Sequence, residues 1–328
     1  PKAEVLEMGT LYLRIVCTLS LGQFMSICFE RMMQATGNTT LSMITQLSGA
    51  VTNIILDPIL IFSCQMGIAG AAIATVIGQV VSCTVGFVLN QWKNRELRLT
   101  HEGFRFDWKT VQNILVVGIP STIMQAISSV CTTLMNMILA GFGDIYVNVL
   151  GVYFKLQSFV FMPVFGLNNG ITPIIAFNYG AQNRKRMIKT IKLSLITAFC
   201  LTFVGFLSFE LIPQVLLGMF NASEDMLAIG IPALRIIGVH YLIAWFCIIC
   251  GTVFQALGKA VYSMIVSILR QLVVLIPVAY LLSRIGGLHV VWWCFPIAEV
   301  TSLVVSLTFL FSVNRQIISK IPDGSDIL

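Results

Sequence analysis

Along the chain, apolar runs alternate with short clusters of glycine, proline and charge. The runs fall at 12–36, 40–62, 69–90, 110–139, 147–172, 188–217, 230–256, 260–283 and 288–313. Each is close to the ~20 residues an α-helix needs to cross the hydrocarbon core of a bilayer. The pattern predicts an all-α integral membrane protein with nine transmembrane helices.

Composition supports this. The chain is 57% hydrophobic and 10% charged, with a mean hydropathy of +0.90, whereas soluble domains run near ~25% charged. Its net charge of +6 does not point to nucleic acid, because the basic residues sit in short clusters between apolar runs, without a basic surface carrying interleaved aromatics. The expected surroundings are the lipid bilayer. The nine cysteines form no spaced framework. Their close pair, Cys247 and Cys250, lies within an apolar run, as small buried hydrophobes do. The opening residues, with Lys2, Glu4 and Glu7 and no initiating methionine, do not read as a cleavable signal peptide.

Lysine and arginine set the orientation. Arg184, Lys185, Arg186, Lys189 and Lys192 cluster between the fifth and sixth runs, which places that loop in the cytoplasm. Alternation then puts Arg31, Lys259, the 91–109 segment with Lys93, Arg95, Arg98, Arg105 and Lys109, and the tail with Arg315 and Lys320 on the same side. The expectation is a multi-pass protein of the cell membrane, with a cytoplasmic C-terminus and the Pro1 end outside.

An internal repeat extends the reading. Residues 12–37 align without gaps to 233–258, with Leu13-Arg14-Ile15 on Leu234-Arg235-Ile236 and Gln34-Ala35-x-Gly37 on Gln255-Ala256-x-Gly258. Ser42-Met43-Ile44 then falls on Ser263-Met264-Ile265, and Gly67 on Gly287 after a one-residue gap. Helices one to three thus repeat as seven to nine in the same direction, so the repeats are parallel. The simplest completion is a two-lobe bundle of twelve helices, three of them preceding Pro1, with a cavity between the lobes. In that frame 1–90 is the remainder of the N-lobe, 91–109 a cytoplasmic linker and 110–328 the C-lobe with a short tail.

The candidate chemistry centres on Asn53-Ile54-Ile55-Leu56-Asp57-Pro58. An acid at bilayer depth costs at least ~2.5 kcal/mol and is a functional candidate by default. Asn53 and Asp57 lie one turn apart on one helix face, where two side chains can share a proton or cation. Pro58 has no N–H for the carbonyl of Ile54, which kinks the helix and leaves a further oxygen near the acid. Packing of a helix kink is the competing role for Asp57. Arg270 and Glu299 are the other deep charges and are expected to pair as a structural clamp; their repeat mates, Gly49 and Gln79, are uncharged. Lys155 either snorkels outward or neutralises a C-lobe acid, and is a candidate for lining a cavity. Met124, Gln125, Phe154, Phe161, Met162 and Phe165 are candidates for lining an adaptable apolar cavity or for packing. Pro120 and Pro163 mark expected kinks. No phosphate-cradling glycine loop is present, and His101, His240 and His289 are dispersed. Neither ATP hydrolysis nor chemistry on a substrate is indicated, and no resident metal or cofactor is expected.

Several motifs resemble the multidrug and toxic compound extrusion (MATE) family: Gln34-Ala35-Thr36-Gly37-Asn38, Asn53 to Phe62, Gly67 to Thr75, Asn168-Asn169-Gly170-x-x-Pro173, Asn178-Tyr179-Gly180-Ala181 and Gln255-Ala256-Leu257-Gly258-Lys259. The resemblance covers the whole chain as helices four to twelve. It implies a cation-coupled antiporter, expected to act as a monomer, that exports amphipathic, often cationic compounds against inward H+ or Na+. In the DinF-like branch the N-lobe site roles fall on Asp57, Asn53 and Thr75, with Na+ at Asp57 as one option. That site also uses an acid and a tyrosine of the first family helix, which this chain lacks. The acids of the NorM-like C-lobe site are absent from 110–139 and 230–256, which favours the N-lobe site. The competing readings are a lipid-linked precursor flippase of the same superfamily and an inactive truncated protein.

Overall fold

Every regular element among the described residues is helical. The computed structural model describes residues 2–94, 96–97, 106–285 and 288–322; Arg95, Arg98, His101, Arg105 and Gly287 lie outside them. The chain divides into two units, Pro1–Phe106 and Asp107–Leu328. The first contains α1 (Lys2–Thr18), α2 (Leu21–Ala35), α3 (Thr39–Pro58), a π-helical turn over Ile59–Ser63 and α4 (Gly67–Lys93). The second contains α5 (Trp108–Ala140), α6 (Asp144–Gly180), α7 (Arg184–Leu211), α8 (Pro213–Gly218), α9 (Glu224–Gly238) and α10 (Tyr241–Ala256). It continues through α11 (Ala260–Ile268), a π segment Leu269–Leu275, α12 (Ile276–Ile285), α13 (Leu288–Val291), α14 (Cys294–Gln316) and a 3-10 turn Ile318–Lys320.

Seven of the described helices are long and apolar enough to cross a bilayer, and two bent pairs bring the total to nine. The expected helices 12–36 and 230–256 are those pairs and are not continuous: α1 and α2 meet at 52°, α9 and α10 at 50°. The breaks occupy the same place in the repeat, and polar side chains turn back onto the backbone at both. Ser20 donates through its hydroxyl to the Cys17 carbonyl at 2.8 Å, and Nδ1 of His240 lies 2.5 Å from the Ile237 carbonyl. Such contacts compete with the helical ladder and bend it. The run 188–217 also divides, because Pro213 cannot continue α7 and starts the short α8. By contrast α5 and α6 remain helical through Pro120, Pro163 and Pro173.

The repeated Gln-Ala-x-Gly motif has a local cause. Gly37 and Gly258 sit at φ +77° and +73°, the left-handed region that glycine enters at no steric cost. Each closes its helix with a pair of bonds: Gly37 N–H to Gln34 and Asn38 N–H to Met33 in one copy, Gly258 N–H to Gln255 and Lys259 N–H to Phe254 in the other. This is the Schellman arrangement, and it turns the chain into the next helix.

Unit 1 is built around α4, whose buried face carries Gly70, Ala72, Ala74, Gly78, Ser82 and Gly86. Small residues let backbones approach closely, which is how helices pack in lipid. A Cβ at Gly49 would stand 2.9 Å from the Gly78 carbonyl oxygen, and one at Gly78 2.8 Å from that of Gly49. Unit 2 has a large aromatic core in which Tyr153, Phe209, Tyr241, Phe254 and Trp292 are fully buried.

Candidate functional site

In unit 1 one face of α3 carries Gln46, Gly49, Ala50, Asn53 and Asp57, spaced three, four, seven and eleven residues from the first, and Gly49 and Asn53 on it pack against Gly78 of α4. Asp57 is half-buried and accepts a hydrogen bond from Asn53 Nδ2 at 3.3 Å. The π turn follows directly after Pro58 and is closed by Cys64 N–H donating to the Ile59 carbonyl at 2.9 Å. π turns inside helices recur at functional sites. Gly70 of α4 packs onto the Leu60 carbonyl in this turn, which holds the end of α3 against α4.

Thr75 lies on the facing side of α4 and shares a cleft with Asn53. Its hydroxyl donates to the Ala71 carbonyl at 2.9 Å and lies 3.4 Å from the hydroxyl of Tyr12. The structure therefore joins Asn53 to Asp57 directly and sets Thr75 beside Asn53, while the hydrogen bonds of Thr75 go to Ala71 and Tyr12. Sequence reasoning missed Tyr12. Its hydroxyl reaches Thr75 from α1, and nothing in the periodicity of α1 marks it.

The cleft encloses 410 Å³ and is lined by one stripe from each of three helices: Gln23, Ser26 and Glu30 on α2, Gln46 to Asn53 on α3, and Thr75, Gly78, Gln79 and Ser82 on α4. Glu30 is a second carboxylate that sequence reasoning passed over. It accepts from Gln46 Nε2 at 2.8 Å and from Ser26 Oγ at 3.3 Å. The signal was available, since Gln23, Ser26 and Glu30 recur at three and seven residues along α2 as a polar stripe on an apolar helix.

In unit 2 the expected Arg270–Glu299 pair is present at 3.4 Å, with side chains 30% and 4% exposed. Arg270 lies in the second π segment. Glu299 begins a buried polar row on α14, in which Glu299 Oε1, Ser302 Oγ and Ser306 Oγ have no hydrogen-bond partner among the described residues. The pair borders a cavity of 350 Å³ that also exposes Phe154, Phe161, Phe165, Gln157 and His240. Lys155 points elsewhere, with Nζ 5.7 Å from the centre of the Phe220 ring. Met124, Gln125 and Met162 also lie off this cavity, and Met162 is 70% exposed. Among the described residues no three His, Cys, Asp or Glu side chains cluster as a metal site.

The chain is similar in sequence to the multidrug export protein MepA of Staphylococcus haemolyticus, with 28% identity over 97% of this chain and 70% of that protein. MepA of Staphylococcus aureus is 26% identical over 96% of the chain and 70% of its own length. Among solved structures, the MATE multidrug transporter DinF-BH superposes with a TM-score of 0.85 at 33% identity, over 94% of this chain and 69% of that one. A MOP superfamily transporter from Pyrococcus furiosus shares the fold at a TM-score of 0.86 and 24% identity, over 95% of this chain and 70% of that one. The MatE family profile matches residues 1–59 and 120–281, so the chain, a membrane transporter and not an enzyme, belongs to the MatE (MATE) family.

Proposed function

We propose that the protein is an antiporter that exports amphipathic, often cationic compounds in exchange for inward H+ or Na+, with Asp57 as the group that takes up and gives back the coupling ion. The observation that carries the reading is the local environment of Asp57. Its carboxylate is held by a neutral amide, Asn53, and among the described residues no cation pairs with it. A carboxylate at bilayer depth that is hydrogen-bonded but not neutralised has room for a cation. The donor set is all oxygen, from Asp57, Asn53 and Thr75, which suits a hard monovalent cation as well as a proton. Pro58 adds a second element. Because it has no N–H, the Ile54 carbonyl is an acceptor for the O–H of a protonated Asp57. Loading would then exchange one local hydrogen bond for another at the π turn, where α3 is least regular.

The lysine and arginine distribution supports a cytoplasmic side for the start of α7, residues 184–192, and for the C-terminal tail. Each H+ exchanged per monovalent cation lets a gradient of one pH unit sustain about a tenfold substrate gradient. Reconstituted in proteoliposomes under an imposed H+ or Na+ gradient, the protein is expected to accumulate a cationic dye at least to that extent. Asp57→Asn should reduce accumulation to the passive level while dye binding persists. Gradient-driven accumulation that survives in Asp57→Asn would refute the assignment, and flipping of a lipid-linked precursor without dye transport would favour a flippase.

A further inference from the structure

We propose that Glu30 is a second exchangeable carboxylate of unit 1, a station for the coupling cation at the other end of the cleft that Asn53 and Thr75 line. The proposal rests on the antiport reading and extends it by one residue.

Three observations carry it. The first is continuity. Glu30, Gln46, Asn53 and Thr75 border one polar cleft, and Asn53 is bonded to Asp57. Glu30 is held at the level of Gln46. Gln46 precedes Asp57 by eleven residues on α3, so the residue that holds Glu30 lies about 16 Å along the helix axis from Asp57. The two carboxylates are too far apart to share one ion, and the cleft runs from Glu30 as far as Asn53, the hydrogen-bond partner of Asp57.

The second is charge. Both partners of Glu30, Gln46 and Ser26, are neutral donors, which steady an anion without compensating its charge. The other charged or titratable groups on α1 to α4 include Glu7, Tyr12, Arg14, Arg31, Asp57 and Lys93. None of them forms an ion pair with Glu30 among the described residues, and Arg31 reaches Gln34 at 2.8 Å. In the same cleft Gln79 Oε1 is buried with no donor among the described residues, which is a spare acceptor for a passing cation.

The third is the comparison with the other repeat. Glu299 and Arg270 occupy the positions of Gln79 and Gly49, so unit 2 carries its own counter-ion. Unit 1 has glycine where the arginine would be, with α4 packed closely against it, and glutamine where the acid would be. Its cleft carboxylate, Glu30, stands instead at the repeat position of Gly251 and is held by neutral donors among the described residues.

The test uses the full-length protein in weakly buffered detergent solution. It measures cation release on binding of ethidium, with a pH electrode for H+ and, in a parallel arm at fixed pH, a Na+ electrode. Wild type should release more than one cation per dye bound. Glu30→Gln should release about one fewer with dye affinity within about threefold, and Glu30→Asp should restore the release. Gln46→Leu removes a donor that favours the anion, so it should move the midpoint of H+ release to higher pH, or weaken Na+ release where Na+ is the ion. Release equal to wild type in Glu30→Gln, or an unmoved midpoint or Na+ release in Gln46→Leu, overturns the role of Glu30 whatever Asp57→Asn does. Normal release in Asp57→Asn with diminished release in Glu30→Gln overturns the Asp57 assignment alone.

Discussion

Removing Arg270 should damage the protein far more than removing the charge of its partner. Two unit charges 3.4 Å apart attract by about 5 kcal/mol at an effective dielectric near 20. Desolvating them costs several kcal/mol each, so the intact pair nets little. The single variants are not equivalent. Arg270→Met leaves the carboxylate of Glu299, 4% exposed, without its cation and with Oε1 already unbonded, which costs about 3–5 kcal/mol. Three kcal/mol is a shift of roughly 150-fold in the folding equilibrium. Glu299→Gln leaves a guanidinium that is 30% exposed and can draw on water in the adjoining cavity, so the loss should be nearer 1–3 kcal/mol. The double variant Arg270→Met/Glu299→Gln removes both charges and should recover most of the loss of Arg270→Met. Denaturant or thermal unfolding of the purified protein in detergent, followed by tryptophan fluorescence, gives the order. If Arg270→Met unfolds with wild type, or the double variant is no better than Arg270→Met, Glu299 is not a buried charge that depends on Arg270.

Gly49→Ala should cost about 1–3 kcal/mol, because its Cβ would press on the Gly78 carbonyl and on Ser82; Gly118→Ala on α5, with nothing within 4 Å, should be neutral or slightly stabilising, and thermal unfolding of the two side by side checks the contrast. Tyr12→Phe loses only the 3.4 Å contact to Thr75, so unfolding should shift by no more than about 1 kcal/mol, and a larger shift would mean that Tyr12 carries packing the hydrogen bond does not account for. At the start of α5, hydrogen bonds from the Thr110 hydroxyl and the Lys109 amide hold the Asp107 carboxyl below the ordinary carboxylate range. A depressed folded value gives stability that is present above the unfolded pKa, near 3.9, and is lost as pH falls through the folded value. Amide exchange at Lys109 and Thr110 should accelerate over that acidic window, and Asp107→Asn should flatten the pH dependence.

How far the sequence went can be judged residue by residue. The nine spans were legible because hydrocarbon leaves a 20-residue apolar run few alternatives. The repeated helix ends were legible because Gly37 and Gly258 occupy a backbone region other residues avoid. The Asn53–Asp57 bond and the Arg270–Glu299 pair were legible too, the first from a spacing of one turn and the second because two deep charges gain from meeting. What the sequence left open is what each helix face meets. Periodicity puts Gln23, Ser26 and Glu30 on one side of α2, but only the packing of α2 against α3 and α4 brings that side to Gln46 and the cleft. Likewise Tyr12 is 63 residues from Thr75, a contact that depends on how α1 leans on α4. The breaks at Ser20 and His240 were hidden because each rests on one side chain's choice between solvent-like surroundings and the backbone carbonyl behind it. A linear pattern specifies direction around a helix axis; distance between axes is set by small residues such as Gly49 and Gly78, and it becomes visible only when the helices are assembled.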